Sequence, residues 1–168
     1  FAGVQLNGKW GFINQKGKEI TPIKYNDIYN FPDGFTQVKL NDKWGIINQE
    51  CKEITPIKYD YISCFDKGFA KVKLNDKWGI INQEGKEIIP LKYNDLFYFS
   101  GDFFGVKFNG KWGVINQKDE IIISIKYDDI DILNESLIKV KLNEKWGVIN
   151  KYEEEIISLK YDYISYFN

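Results

Sequence analysis

The adjacent carboxylates Asp128-Asp129 are the pairing that comes closest to a general acid and base. Proton transfer needs a group poised near the working pH and a partner that orients it. Histidine is absent from the chain, and Tyr61 and Tyr163 stand at the positions that correspond to Asp129. The acids are therefore read as turn and surface residues. Cys64 has no base in sight to activate it as a nucleophile. A disulfide from Cys51 to Cys64 would close a short loop and stays open as an alternative to two thiols. No metal-ligand spacing and no cofactor motif occurs, so no catalytic, cofactor-binding or metal-binding residue is assigned.

Lysines stand before aromatic rings at regular places. Lys9, Lys43, Lys77, Lys111 and Lys145 precede tryptophans; Lys24, Lys58, Lys92, Lys126 and Lys160 precede tyrosines. Such stripes could track a nucleic-acid backbone, or lie over rings and guard sheet edges. The sequence carries 23 lysines, no arginine and 24 acids. That balance favours the second reading and argues against a nucleic-acid partner.

These residues recur because the chain repeats. Trp10, Trp44, Trp78, Trp112 and Trp146 are all its tryptophans, spaced by 34 residues. A strict period implies one unit built five times in a single array over residues 1–168, with copies 1–34, 35–68, 69–102, 103–136 and 137–168. A composition 43% hydrophobic and 28% charged is that of a folded chain. No apolar run is long enough to span a membrane as a helix. No signal peptide is visible, although Phe1 already lies inside the repeat, so the chain could be a fragment or a mature form.

Each copy reads as β-structure. Thr36, Val38 and Leu40 alternate with Gln37 and Lys39, as in a half-buried strand. Asn41-Asp42 and its equivalents Asn7-Gly8, Asn75-Asp76, Asn109-Gly110 and Asn143-Glu144 predict hairpin turns with both central residues at positive φ. Glu144 is the least suited of these. The second strand, 43–48, carries the tryptophan. The glycine after it, Gly11, Gly45, Gly79, Gly113 or Gly147, is expected to lie beneath a neighbouring unit's indole. Asn48 opens a turn into a third strand, Glu53 to Pro56, on an edge or strand end because proline cannot donate to a ladder. The stretch around Tyr61 and Ile62 is a fourth strand or a helical turn, with Phe65, Phe99 and Phe167 among its apolar positions. The fold class is all-β: tandem β-meanders stacked in an open solenoid-like or superhelical array, with a closed five-bladed β-propeller as the alternative. A 34-residue helical repeat is excluded by strand alternation, Asn-Gly turns and a near absence of alanine.

The pattern Lys-Trp-Gly-x-Ile-Asn, then Gly17-Lys18-Glu19-Ile20, a proline, Tyr-Asn/Asp-x-Ile, and Gly-Phe-x-x-Val resembles the bacterial WG repeat family over essentially the whole chain. Copies four and five depart from it, with Asp119 and Glu153 for the turn glycine and Ser124 and Ser158 for the proline. The resemblance implies a β-structured repeat and supplies no catalytic or ligand residue. It implies a bacterial source; the compartment, cytoplasmic or secreted and cell-envelope, stays open.

The five tryptophans and their glycines are expected to be structural anchors, the rings in the core, with sugar stacking as the alternative role for the tryptophans. Repeat proteins keep a frame and vary the binding positions. Two slots vary here: Tyr29, Ser63, Phe97, Asp131 and Ser165 in one, Asp27, Tyr61, Asp95, Asp129 and Tyr163 in the other. The expected function is a non-catalytic scaffold for a protein partner, bound through Tyr29, Tyr61, Phe97 and Tyr163. The alternative is a multivalent glycan or cell-envelope module using the exposed tyrosines Tyr25, Tyr59, Tyr93, Tyr127 and Tyr161.

Overall fold

The computed structural model describes residues 1–31, 34–98, 103–134 and 136–165, together with the backbone of 99–100. Of the expected apolar positions, Phe167 and the side chain of Phe99 lie outside the described part. Nineteen strands are present among the described residues: β1 (Ala2–Leu6), β2 (Lys9–Ile13), β3 (Glu19–Tyr25), β4 (Asp27–Asn30), β5 (Thr36–Leu40), β6 (Lys43–Ile47), β7 (Glu53–Tyr59), β8 (Tyr61–Ile62), β9 (Phe69–Leu74), β10 (Lys77–Asn82), β11 (Glu87–Tyr93), β12 (Asp95–Ser100), β13 (Phe103–Phe108), β14 (Lys111–Asn116), β15 (Ile121–Tyr127), β16 (Asp129–Ile132), β17 (Leu137–Leu142), β18 (Lys145–Asn150) and β19 (Glu155–Tyr161).

The chain is all-β, in five antiparallel sheets of three or four strands, none closed on itself. It divides into two compact units, Phe1–Glu87 and Ile88–Asn168. The first contains the sheets β1-β2-β3 and β4-β5-β6-β7 and the pairings of β8, β9 and β10; the second contains β12-β13-β14-β15 and β16-β17-β18-β19. The stretch left open as strand or helical turn is a strand, and it opens the next sheet: β4 pairs β5, β8 pairs β9, β12 pairs β13 and β16 pairs β17. Each of the four four-stranded sheets therefore combines strands from two sequence copies, which ties consecutive copies through backbone hydrogen bonds.

Within the first unit, Phe12 and Tyr25 of the first sheet pack against Val38 and Ile47 of the second. Within the second, Val114, Ile123 and Tyr127 pack against Ile130, Ile138, Val140 and Ile149. No single meander could bury these faces alone, so stacking is what removes them from water.

The five hairpins have both central residues at positive φ, including Glu144 at 64°. In every copy the asparagine that follows strand two accepts two backbone N–H bonds through its Oδ1, as Asn48 does from Glu50 and Lys52 at 2.9 and 3.0 Å. The next turn needs one more residue at positive φ. Gly17 and Gly85 supply it without strain, and Cys51, Asp119 and Glu153 adopt it at 58°, 63° and 65°. Loss of the glycine in copies four and five thus leaves the turn intact.

Two expectations need correction. The third strand does not end at the proline but continues to Tyr59. Between Trp44↔Tyr59 and Ile46↔Thr55 one residue on β6, Gly45, opposes three on β7, Pro56, Ile57 and Lys58, so Pro56 sits in a bulge on the outer strand of its sheet, where its missing N–H costs nothing. The bulge also explains the glycine. A Cβ on Gly45 would lie 2.8 Å from Ile57 Cγ1 and 3.0 Å from its Cα, and Gly11 meets Ile23 in the same way. The third strand of the same sheet occupies that space, not a neighbour's indole.

Candidate binding cleft

The two variable slots lie on one face of each sheet. In the second sheet the register sets Asp27 beside Lys39 beside Trp44, and Tyr29 beside Gln37 beside Ile46. Three later copies fill the slots internally. Ser63 Oγ accepts the Lys71 N–H at 2.9 Å. Phe97 packs on Trp112 at 5.4 Å between ring centroids, over Gly105, where a Cβ would overlap its ring. Asp131 pairs with Lys139 at 2.9 Å. Phe97 is thus a filler of its own sheet, half-buried, and not the free contact expected of it. Tyr163, in the second unit, is 72% exposed.

Tyr29 and Tyr61 are 57% and 45% exposed, and the structure brings them together. They line one open cleft of about 390 Å³ with Asp27, Phe31, Gln37, Trp44, Ser63 and Cys64, among others. Tyr29 stacks edge-on to Phe31 at 5.7 Å, and Tyr61 to Trp78 at 5.5 Å. The Gln37 amide donates to the Ile62 carbonyl at 2.6 Å, across the two sheets that form the walls. Among the described residues of the lining, Asp27 is the one that is charged. Aromatic faces with a carboxylate at hand suit a polar organic ligand held by ring contact. Both cysteines are free thiols. Trp44 was singled out from the sequence as an anchor; Gln37 was not singled out, although position 37 varies as Gln, Lys, Gly and Lys at 37, 71, 105 and 139.

The roles expected of tryptophan and tyrosine are exchanged. The five tryptophans are half-buried. Tyr25, Tyr59, Tyr93 and Tyr127 are the core rings, each at most 2% exposed, and only Tyr161 in the last copy is open. The tyrosine ladder therefore cannot stack sugars. Each tyrosine lies beneath its own preceding lysine, at 5.0 Å for Lys58 over Tyr59. In the second unit the following turn seals it. Asp119 accepts from the Tyr93 hydroxyl at 2.5 Å and pairs with Lys92. Glu153 accepts from Tyr127 at 2.9 Å, from Ser124 Oγ at 2.8 Å and from Lys126. Burial, and then these carboxylates, push both phenols well above their ordinary range. Burial raises the Glu153 carboxyl, but its bonds to Lys126, Ser124 and Tyr127 outweigh that and bring it down to about 2. Ser124 also gives Glu153 the N–H that a proline lacks, at 3.2 Å, so the two departures of copies four and five answer one another.

Most members of the lysine ladders are likewise engaged. Lys43, Lys111 and Lys145 pair with Asp60, Asp128 and Asp162, holding those carboxyls below the usual carboxylate range. Asp60 and Asp128 also cap the next hairpin, accepting from Asn75 and Asn143 at 2.8 Å. No helix among the described residues is long and apolar enough to cross a membrane.

A family model described as WG containing repeat matches residues 10–44, 44–78, 78–112, 112–146 and 146–168. No curated protein matches the sequence. Among solved structures, a eukaryotic initiation factor superposes with a TM-score of 0.54 at 10% identity, over 92% of this chain and 50% of that one. Kluyveromyces lactis Hsv2p gives 0.45 at 13% identity, over 88% and 60%. The extracellular domain of the one component system BT4673 from B. thetaiotaomicron gives 0.41 at 12%, over 93% and 27%. The chain spans no more than 60% of any of these three, and the likeness to the initiation factor is one of fold alone.

Proposed function

The chain belongs to the WG containing repeat family, and from that premise we propose that it is a non-catalytic binding module whose ligand is a segment of another protein. One observation carries the reading. The two variable slots meet in the cleft of Asp27, Tyr29, Tyr61 and Ser63, where two tyrosines remain exposed, whereas Phe97 and Asp131 are consumed by contacts inside their own sheet. Rigid, amphipathic rings around a small polar group are the composition that interface centres favour. A cleft of this size accommodates a few side chains of an extended segment rather than a folded surface.

Absence of turnover is part of the proposal. The acids and lysines that could move protons recur with the period of the frame, and many are engaged in structural pairs. A glycan reading cannot rest on the tyrosine ladder, whose first four members are buried.

The test is affinity capture from the native source with three baits: the unaltered chain, the double variant Tyr29→Ser/Tyr61→Ser, and Tyr152→Ser as an exposed-tyrosine control outside the cleft. The expected result is a protein retained by the first and third baits and lost with the second. Equal retention by all three would place binding elsewhere.

A further inference from the structure

Each tryptophan of the later sheets is a seat for the chain's own cations. Lys71 and Lys73 lie over Trp78 at 5.6 and 5.7 Å, and Lys139 and Lys141 over Trp146 at 4.9 and 5.8 Å. The fifth copy shows the seat best. The Lys139 ammonium, on a side chain only 8% exposed, meets four groups among the described residues. They are the Trp146 ring, the Tyr163 ring at 6.0 Å, the Asp131 carboxylate at 2.9 Å and the Ile164 carbonyl at 3.5 Å.

The second copy keeps three of these walls and changes the fourth: Trp44, Tyr61 and Ile62 correspond to Trp146, Tyr163 and Ile164, Tyr29 stands where Asp131 does, and Asp27, two residues earlier, lines the space as a carboxylate. The occupant differs. Position 37 is glutamine, whose amide bonds the Ile62 carbonyl that Lys139 addresses in the fifth copy. Of the two lysine positions only Lys39 remains over Trp44, at 5.6 Å, with its ammonium paired to Asp42 at 3.3 Å. In the fourth copy the corresponding space is closed by Phe97 over Gly105. In the second it stays open as the cleft, with Tyr29 as a third ring.

We propose that this cleft is a seat for a basic side chain of the bound protein segment, its ammonium or guanidinium resting on Trp44 between Tyr29 and Tyr61 with Asp27 as counter-ion. A cation over aromatic faces is attracted by the ring quadrupole, more strongly once it is partly removed from water. Lys39 does not exclude a second cation, because the Trp146 seat already holds two. The chain has no arginine of its own, so a guanidinium there comes from a partner. The inference rests on the protein-ligand reading above and specifies the chemistry at its centre.

The probe is a short acetylated, amidated glycine peptide carrying one arginine, beside lysine and citrulline versions, titrated into the full chain while the Trp44 indole N–H signal is followed by NMR. The arginine and lysine peptides are expected to move that signal, with affinity at least about tenfold above the neutral citrulline peptide. Gln37→Lys should abolish the response, since the chain's own ammonium then fills the seat as Lys71 and Lys139 do in copies that fold. Asp27→Asn should weaken it while leaving the melting curve unchanged. Equal binding of the citrulline peptide, an unaltered response in Gln37→Lys, or no response at millimolar arginine peptide would each overturn the proposal. A neutral oligosaccharide that moves Trp44 where the arginine peptide does not would overturn it too, and would replace the protein ligand by a glycan. Captured protein that is lost with the Tyr29/Tyr61 variant but kept by Gln37→Lys would sink the cation seat alone.

Discussion

Trp44 and Tyr59 sit side by side in one register and divide the labour of an aromatic pair. The tyrosine is buried to 1% exposure, while the tryptophan keeps an open face under a lysine. Tyr59→Ala should therefore cost about 3–5 kcal/mol, as for a large core truncation. Trp78→Ala should cost less, about 1–3 kcal/mol, because its ring is only half-buried. Urea titration of the two variants checks the order, and a larger loss at Trp78 would contradict it. Glu153 gives a second test. Its carboxyl is held at about 2 against an ordinary 4.5. With the folded value below the unfolded one, its contribution is fully present above about pH 4.5 and fades as the pH falls towards 2. Glu153→Gln should lose about 2–3 kcal/mol near neutral pH and match the unaltered chain near pH 2. A constant difference across that range would mean that shape, not charge, is what Glu153 supplies.

Strand by strand, the sequence was legible wherever local chemistry sets the backbone. Asn-Gly and Asn-Asp pairs specify both residues of a hairpin, and alternation specifies the strand beside it. The glycine after tryptophan was not legible in this way. Its cause is a bulge on the third strand, which depends on pairing across the sheet. Proline was placed on an edge or a strand end, and it lies on the edge strand, but the strand runs on past it through the bulge. The tyrosines were misjudged for a related reason: Lys-Tyr-Asp looks exposed along the chain, and only stacking of consecutive sheets covers the ring. Gly45→Ala tests the bulge. Its Cβ would meet Ile57 backbone rather than a flexible tip, so a loss of about 1–3 kcal/mol is expected, read by thermal melting. An unchanged melting temperature would show that the bulge has room.

On the scale of the whole molecule, five copies of one frame do not give five equal surfaces. The variable positions were legible as a set, but not which of them would be used up internally. That depends on cross-strand pairs such as Phe97 with Gly105 and Asp131 with Lys139, each 8 residues apart in sequence and adjacent in the sheet. The central claim is that ligand binding is confined to the cleft where Tyr29 and Tyr61 stay exposed. Hydrogen exchange along the whole chain, with and without the captured protein, tests it most directly. Slowed exchange at the backbone of 27–31 and 61–64, with the equivalent stretch 129–133 unchanged, is the predicted result. Equal slowing at the equivalent stretches of every copy would contradict it and assign binding to the repeated frame itself.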